Sequence, residues 1–235
     1  MLNEVFTDLV EAVSANDGVL DKFIGDAVMA VYGAPLSSGR DPENAVESAI
    51  AMMRMLALLN SRRAERDQFP LRLGIGISTG ELIAGTIGSP KRMDYTVIGD
   101  SVNLASRLQT TTKHYQVGIV VCEATAQANA ATQVLRHLDT VGVRGRNRPE
   151  KIYQVLSYHT DESFPHMGQV LAAYETGMAC QQAQDWAGAA EAFSHALHLN
   201  PADRPSELML ERVRAAMRTP DAQGWGQPWH ANEVG

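Results

Sequence analysis

The segment Thr96-Val-Ile-Gly-Asp-Ser-Val-Asn-Leu-Ala-Ser-Arg-Leu108 carries an amide and a guanidinium four positions apart. On a helix that spacing stacks Asn103 and Arg107 on one face, with Leu104 and Leu108 on the neighbouring stripe. A guanidinium fork holds anionic oxygens at two points and an amide contacts a sugar or ring oxygen, so the pair suits a nucleotide. The same residues also fit a capped amphipathic helix with a solvated arginine. Asp100 stands where its carboxylate could cap that helix. A second group, Asp21-Lys22-Phe-Ile-Gly25-Asp26, sets an ammonium in one predicted strand and a carboxylate at its turn, both interrupting apolar sequence. Taken singly, Lys22 fits a solvated edge-strand lysine and Asp26 fits ordinary turn chemistry.

The elements that must position these residues follow from periodicity. Leu2, Val5, Phe6, Leu9, Val10 and Val13 recur at helical spacing, and Asn16-Asp17-Gly18 supplies a stop. Val19 to Ile24 and Ala27 to Tyr32 flank Gly25-Asp26, which predicts a β-hairpin with Asp26 at its tip. Asp41-Pro42-Glu43 starts a helix that ends near Arg66. Leu71, Leu73, Ile75 and Ile77 alternate with Arg72, Gly74, Gly76 and Ser78, a strand whose glycines let another backbone come close. Gly80, Gly85 and Gly88 read as breaks. Tyr95 to Ile98 is a short strand feeding the Asn103/Arg107 helix, and Gly118 to Cys122 is another, followed by an Ala-rich helix. Leu135 to Val143 and Lys151 to Tyr158 flank the basic turn Arg144-Gly-Arg-Asn-Arg-Pro149, closing a second hairpin.

The 235 residues, 45% of them hydrophobic, bury a full core and leave enough chain for an appendage. A net charge of −7 without a Lys/Arg stripe argues against a nucleic acid polymer as partner. Cys122 and Cys180 have no metal-ligand spacing around them, and a reduced, cytoplasmic setting fits. No run of about 18 apolar residues marks a membrane segment.

A boundary is expected at Asp161 to Gly168. Beyond it Gly177, Ala189, Phe193, Ala196 and Pro201 stand at the spacings of a tetratricopeptide repeat, with Ala173 and Thr176 where bulky residues are expected. One unit is below the roughly three repeats an independent solenoid needs, so it must dock on something. Ser206 to Arg218 reads as a further helix, and the tail over 219–235 carries no pattern. The domain reading is 1–160, 168–218 and 219–235.

Three ordered motifs, Asp-Lys-Phe-Ile-Gly-Asp-Ala, Gly-Ile-Ser-Thr-Gly-Glu and Gly-Asp-Ser-Val-Asn-Leu-Ala-Ser-Arg, resemble the catalytic domain of class III nucleotide cyclases over about residues 1–158. The resemblance implies an α+β fold, a ferredoxin-like mixed sheet with packed helices, followed here by a small all-α appendage. It implies that ATP is converted to 3',5'-cyclic AMP and pyrophosphate for intracellular signalling, at a site shared by two domains paired head to tail as a homodimer. On the same basis Asp26 coordinates Mg²⁺ or Mn²⁺, with two ions per site in the family. Lys22 and Thr96 match the purine-recognising positions. GTP-specific members generally carry Glu and Cys there, whereas Lys with Asp or Thr accompanies ATP, and the Thr form looks like the subgroup that includes bicarbonate-responsive enzymes. Asn103 matches the ribose-orienting residue, Arg107 the one that stabilises charge on the reacting phosphate, and Arg144 occupies a position where the family often has a Lys binding the terminal phosphates.

In the family, a strand bearing a first metal-binding Asp precedes the helix with which this chain begins. Asp8 and Asp17 are poor substitutes, because one lies in the opening helix and the other in its terminating turn. The expectation is therefore an N-terminally truncated cyclase, lacking its first strand and one metal ligand, with any sensor or membrane tether upstream. The alternative is a catalytically impaired module that binds nucleotide, or a protein partner through the helical segment. A guanylate cyclase is disfavoured by Lys22 and Thr96.

Overall fold

The computed structural model describes residues 2–89, 92–142, 149–218 and 229–230. It opens with α1 (Leu2–Ser14), whose apolar stripe buries Leu9 and Val13 against Met52. Asp17, at φ 57°, turns the chain out of the helix. The predicted hairpin follows as β1 (Val19–Ile24) and β2 (Ala27–Val31), paired antiparallel with Gly25 at φ 62° in the turn. Next comes α2 (Asp41–Ala64), with Pro in its first turn where a missing N–H costs nothing.

The strand expected over 71–77 is shorter, and β3 is Ile75–Ile77. Leu71 is held instead by a side chain: its N–H donates to Asn60 Oδ1 at 2.8 Å and its carbonyl accepts from Asn60 Nδ2 at 2.9 Å. An amide of α2 thus satisfies backbone groups that a neighbouring strand would otherwise take. The reading of glycine breaks is also corrected, because Gly85 and Gly88 lie inside β4 (Ile83–Ser89). That strand pairs antiparallel with β5, which spans Arg92–Ile98 and so starts upstream of Tyr95. Cross-strand pairing here overrides the weak strand preference of glycine.

The chain continues through α3 (Asp100–Tyr115), β6 (Ile119–Cys122), α4 (Glu123–Asn129), β7 (Leu135–Gly142) and β8 (Glu150–Val155). Then come α5 (Met167–Gln182), α6 (Trp186–Leu199), α7 (Arg204–Arg218) and the two-residue β9 (Trp229–His230). The main sheet is mixed, in the order β3-β6-β8-β7-β9, with β3 parallel to β6, β9 parallel to β7 and the other pairs antiparallel. The β1-β2 and β4-β5 hairpins are separate two-stranded sheets.

The glycines of the β3 segment let another backbone come close, as their spacing predicts. A Cβ at Gly76 would sit 2.2 Å from the carbonyl oxygen of Ala105 and 2.3 Å from the Gln109 nitrogen, both in α3. The helical segment docks on this assembly rather than standing alone. Tyr174, Phe193, Met209 and Val213 share one buried cluster with Leu104, Leu108, Tyr115, Val120 and Leu138. Within the α5–α6 pair, a Cβ at Gly177 would lie 2.7 Å from the fully buried Phe193 ring, so the contact requires a glycine. Asn200 ends α6, its Oδ1 accepting from the Ala202 N–H at 3.1 Å.

Candidate functional site

The base of the site is an irregularity in β1. Leu20 pairs with Ala30 and Lys22 with Met29, so Asp21 is an extra residue that the partner strand does not match. Successive strand residues normally point to opposite faces, and a bulge re-aims them. Here Asp21 and Lys22, adjacent in sequence, both reach the same hydroxyl on β5. Lys22 Nζ donates to Thr96 Oγ1 at 2.7 Å, and Thr96 Oγ1 donates to Asp21 Oδ2 at 3.1 Å. The ammonium and the Asp21 carboxylate are 3.3 Å apart, with the lysine side chain 43% exposed and the aspartate 5%. Two sequence-predicted residues, Lys22 and Thr96, are thus brought together across 74 positions. Asp21 was missed in that role, although two adjacent charges in an apolar strand were a signal.

Asp26 lies exposed at the hairpin tip, in the turn that follows the end of β1 at Ile24. Among the described residues no cluster of three or more His, Cys, Asp or Glu side chains gathers to hold a metal. A single hard oxygen donor at an open turn fits an ion held jointly with substrate phosphates, not one held by protein ligands alone.

Asn103 and Arg107 lie one turn apart on α3, Asn103 exposed and Arg107 half-buried, while Leu104 and Leu108 are each 1% exposed on the inner stripe. The start of that helix differs from expectation. Gly99 is the capping residue and receives no side-chain help, and Asp100 is the first helical residue instead. There its charge favours the positive end of the helix dipole. The entry is pinned by Ser101, whose Oγ donates to the Glu81 carbonyl at 3.0 Å. The exit is pinned by Tyr115, whose hydroxyl donates to Asp139 Oδ2 at 2.7 Å while Arg212 Nη1 of α7 donates to the same oxygen at 2.5 Å. Burial beside Asp139 pushes the Tyr115 hydroxyl well above its ordinary pKa, so it stays a donor. Arg144 falls outside the described residues.

Large apolar side chains stay exposed on the two hairpins that carry the cluster: Phe23 and Ile24 on β1, and Ile83, Met93, Tyr95 and Ile98 on β4–β5.

The sequence profile of the adenylate and guanylate cyclase catalytic domain matches residues 1–157. The terminal-differentiation-specific adenylate cyclase of Dictyostelium discoideum is 30% identical over 226 residues, 94% of this chain and 10% of that protein. Adenylate cyclase 1 of Rhizobium meliloti is 34% identical over 156 residues, 66% of this chain and 24% of that protein. The chain therefore spans between a tenth and a quarter of the length of these curated relatives. Among solved structures, the adenylyl cyclase CyaB of P. aeruginosa superimposes with a TM-score of 0.61 at 35% identity, over 68% of this chain and 82% of that one. The guanylyl cyclase Cya2 does so with a TM-score of 0.60 at 31% identity, over 70% of this chain and 81% of that one. No helix among the described residues is long and apolar enough to cross a membrane.

Proposed function

The chain belongs to the adenylate and guanylate cyclase catalytic domain family, and from that premise we propose that it converts ATP to 3',5'-cyclic AMP and pyrophosphate for intracellular signalling. The observation that carries the choice of ATP is the Lys22–Thr96 hydrogen bond, which gathers the two base-recognising positions into one cluster. Likeness alone does not choose the base, since relatives of both nucleotide preferences superimpose about equally well.

In this reading Lys22 and Thr96 hold the edge of the adenine, and Asn103 orients the ribose. The ribose 3'-oxygen attacks the α-phosphorus, its proton passes to solvent, and the bond to the bridging oxygen breaks to release pyrophosphate. Arg107 donates to the phosphoryl oxygens as charge builds on them, the kind of preorganised electrostatic stabilisation that dominates phosphoryl chemistry. Arg144 holds the terminal phosphates. Asp26 would help hold Mg²⁺ or Mn²⁺ together with the triphosphate, and such an ion would neutralise phosphate charge.

Two copies pair head to tail as a homodimer, each contributing to the other's site. The exposed apolar residues of the β1 and β4–β5 hairpins support that reading. Residues 1–160 form the catalytic unit, and residues 168–218 brace it. The apolar face of the helical unit is already occupied by the sheet and α3, which favours bracing over capture of a protein partner.

The test is incubation of the full chain with Mn²⁺ and ATP, with cyclic AMP as the measured product. Accumulation of cyclic AMP that rises steeply with protein concentration is expected, because a monomer holds an incomplete site. Binding of ATP without product would replace the enzyme with a nucleotide-binding module, and no ATP binding would remove both.

A further inference from the structure

The hydrogen-bond inventory of the Asp21–Lys22–Thr96 cluster is nearly spent. Thr96 Oγ1 has one proton and two lone pairs. The proton goes to Asp21 Oδ2 and one lone pair accepts from Lys22, leaving one lone pair and no proton for a ligand. The ammonium has three N–H groups. One is directed at Thr96 and another faces Asp21, leaving one for a ligand. The cluster therefore offers one acceptor, from Thr96, and one donor, from Lys22, in an order that neither side chain can reverse while Asp21 holds both.

We infer that Asp21 is a specificity-determining positioning residue, which selects the 6-aminopurine edge by locking the Thr96 hydroxyl as an acceptor. This rests on the cyclase reading above and deepens it. An adenine edge presents an amino donor at C6 beside an acceptor at N1, whereas a guanine or hypoxanthine edge presents a carbonyl acceptor at C6 beside an N1–H donor. A free threonine hydroxyl would rotate to donate to that carbonyl. With its proton committed to a side chain only 5% exposed, it faces the carbonyl with a lone pair, and the mismatch leaves polar groups under the base unpaired. The β1 bulge makes the arrangement possible by turning Asp21 to the same hydroxyl as Lys22. A shallow pocket lined by Val19, Leu20, Tyr95 and Val97 lies against Asp21, whose own side chain is only 5% exposed.

The experiment measures equilibrium binding and cyclisation of ATP, GTP and ITP by the full chain and by Asp21→Asn, Thr96→Val and the double variant. The unaltered chain is expected to prefer ATP over both oxo-purines by about tenfold, the effect of one mismatched hydrogen bond. In Asp21→Asn the amide can donate to Thr96 and free its proton, so the preference narrows to about threefold or less. In the Thr96→Val background the Asp21 change adds nothing, because Asp21 acts through the hydroxyl. Retention of the full ATP preference in Asp21→Asn would overturn the proposal, as would an equal Asp21→Asn effect without the hydroxyl. ITP differs from ATP at the C6/N1 edge, so equal handling of the two by the unaltered chain overturns it even where a variant does not fold. A chain that binds no ATP removes the cyclase reading itself, a result distinct from selective ATP binding that Asp21 does not influence.

Discussion

Arg136 and Asp203 form a two-point ion pair shut off from water, with N···O distances of 2.8 and 2.9 Å and side chains 1% and 2% exposed. It joins β7 to the residue just before α7. Gln154 Oε1 accepts from Arg136 Nε at 3.1 Å, the guanidinium lies 4.9 Å over the Tyr174 ring, and the Ser206 N–H and Oγ both donate to Asp203. A charge this deep is tolerated because its partners are so complete. The pair ties the helical segment to the sheet beside the brace on α3.

Asp203→Ala strands the guanidinium in the core and is expected to destabilise the chain by about 3–5 kcal/mol. Replacing both partners with apolar residues, Arg136→Met with Asp203→Leu, should cost much less. Urea unfolding followed by circular dichroism checks both, and equal losses in the two variants would contradict this account.

Gly76→Ala drives a methyl into the backbone of α3, where no rotamer change relieves the 2.2 and 2.3 Å contacts. A loss of about 3 kcal/mol or more is expected, with turnover falling as the helix bearing Asn103 and Arg107 shifts. Gly168→Ala, with nothing within 4 Å, is the control and should be neutral or stabilising by up to about 1 kcal/mol. Thermal melting separates the two.

Burial, helped by the Arg136 charge, pulls His159 down to about 4. Burial lowers His114 and His137 as well. Between their ordinary pKa of 6.5 and the depressed values, the unfolded chain binds more protons than the folded one, so stability is full above 6.5 and falls as pH drops towards 4. His159→Phe keeps rings against Tyr158 and Phe164 while removing the titration. Its unfolding midpoint should fall less between pH 7 and pH 5 than that of the unaltered chain.

Arg107→Ala is expected to lower kcat on the order of 10²-fold while changing KM little, the signature of a contact made chiefly in the transition state. Arg107→Lys should recover only part of the loss, since a point charge does not reproduce the planar fork. Steady-state cyclic AMP formation measures both, and a change confined to KM would reassign Arg107 to ground-state binding.

What could be read in advance follows the range of the interactions involved. α1, the Asp26 hairpin and the Asn103/Arg107 helix were legible because helical and strand periodicities are local, and Gly25-Asp26 carries its own turn chemistry. Gly85 and Gly88 misled because glycine weakens a strand by itself, and only pairing with β5 restores it. The length of β3 misled because Asn60, in a different element, takes the hydrogen bonds of Leu71. Asp100 misled because a carboxylate before a helix and one at its first residue look alike in sequence.

By itself, the sequence determined which residues are candidates for the chemistry, since Lys22, Thr96, Asn103 and Arg107 stand out by type and order. Tertiary structure decided which of them meet and what they can exchange. Strand alternation sends Asp21 and Lys22 to opposite faces, and only the mismatch of β1 against β2 turns both towards Thr96. The docking of the helical segment was equally a tertiary matter, fixed by apolar contacts and a buried ion pair between residues far apart in the chain. Local pattern sets a residue's identity and its element, whereas hydrogen-bond direction and burial depend on neighbours that only folding supplies.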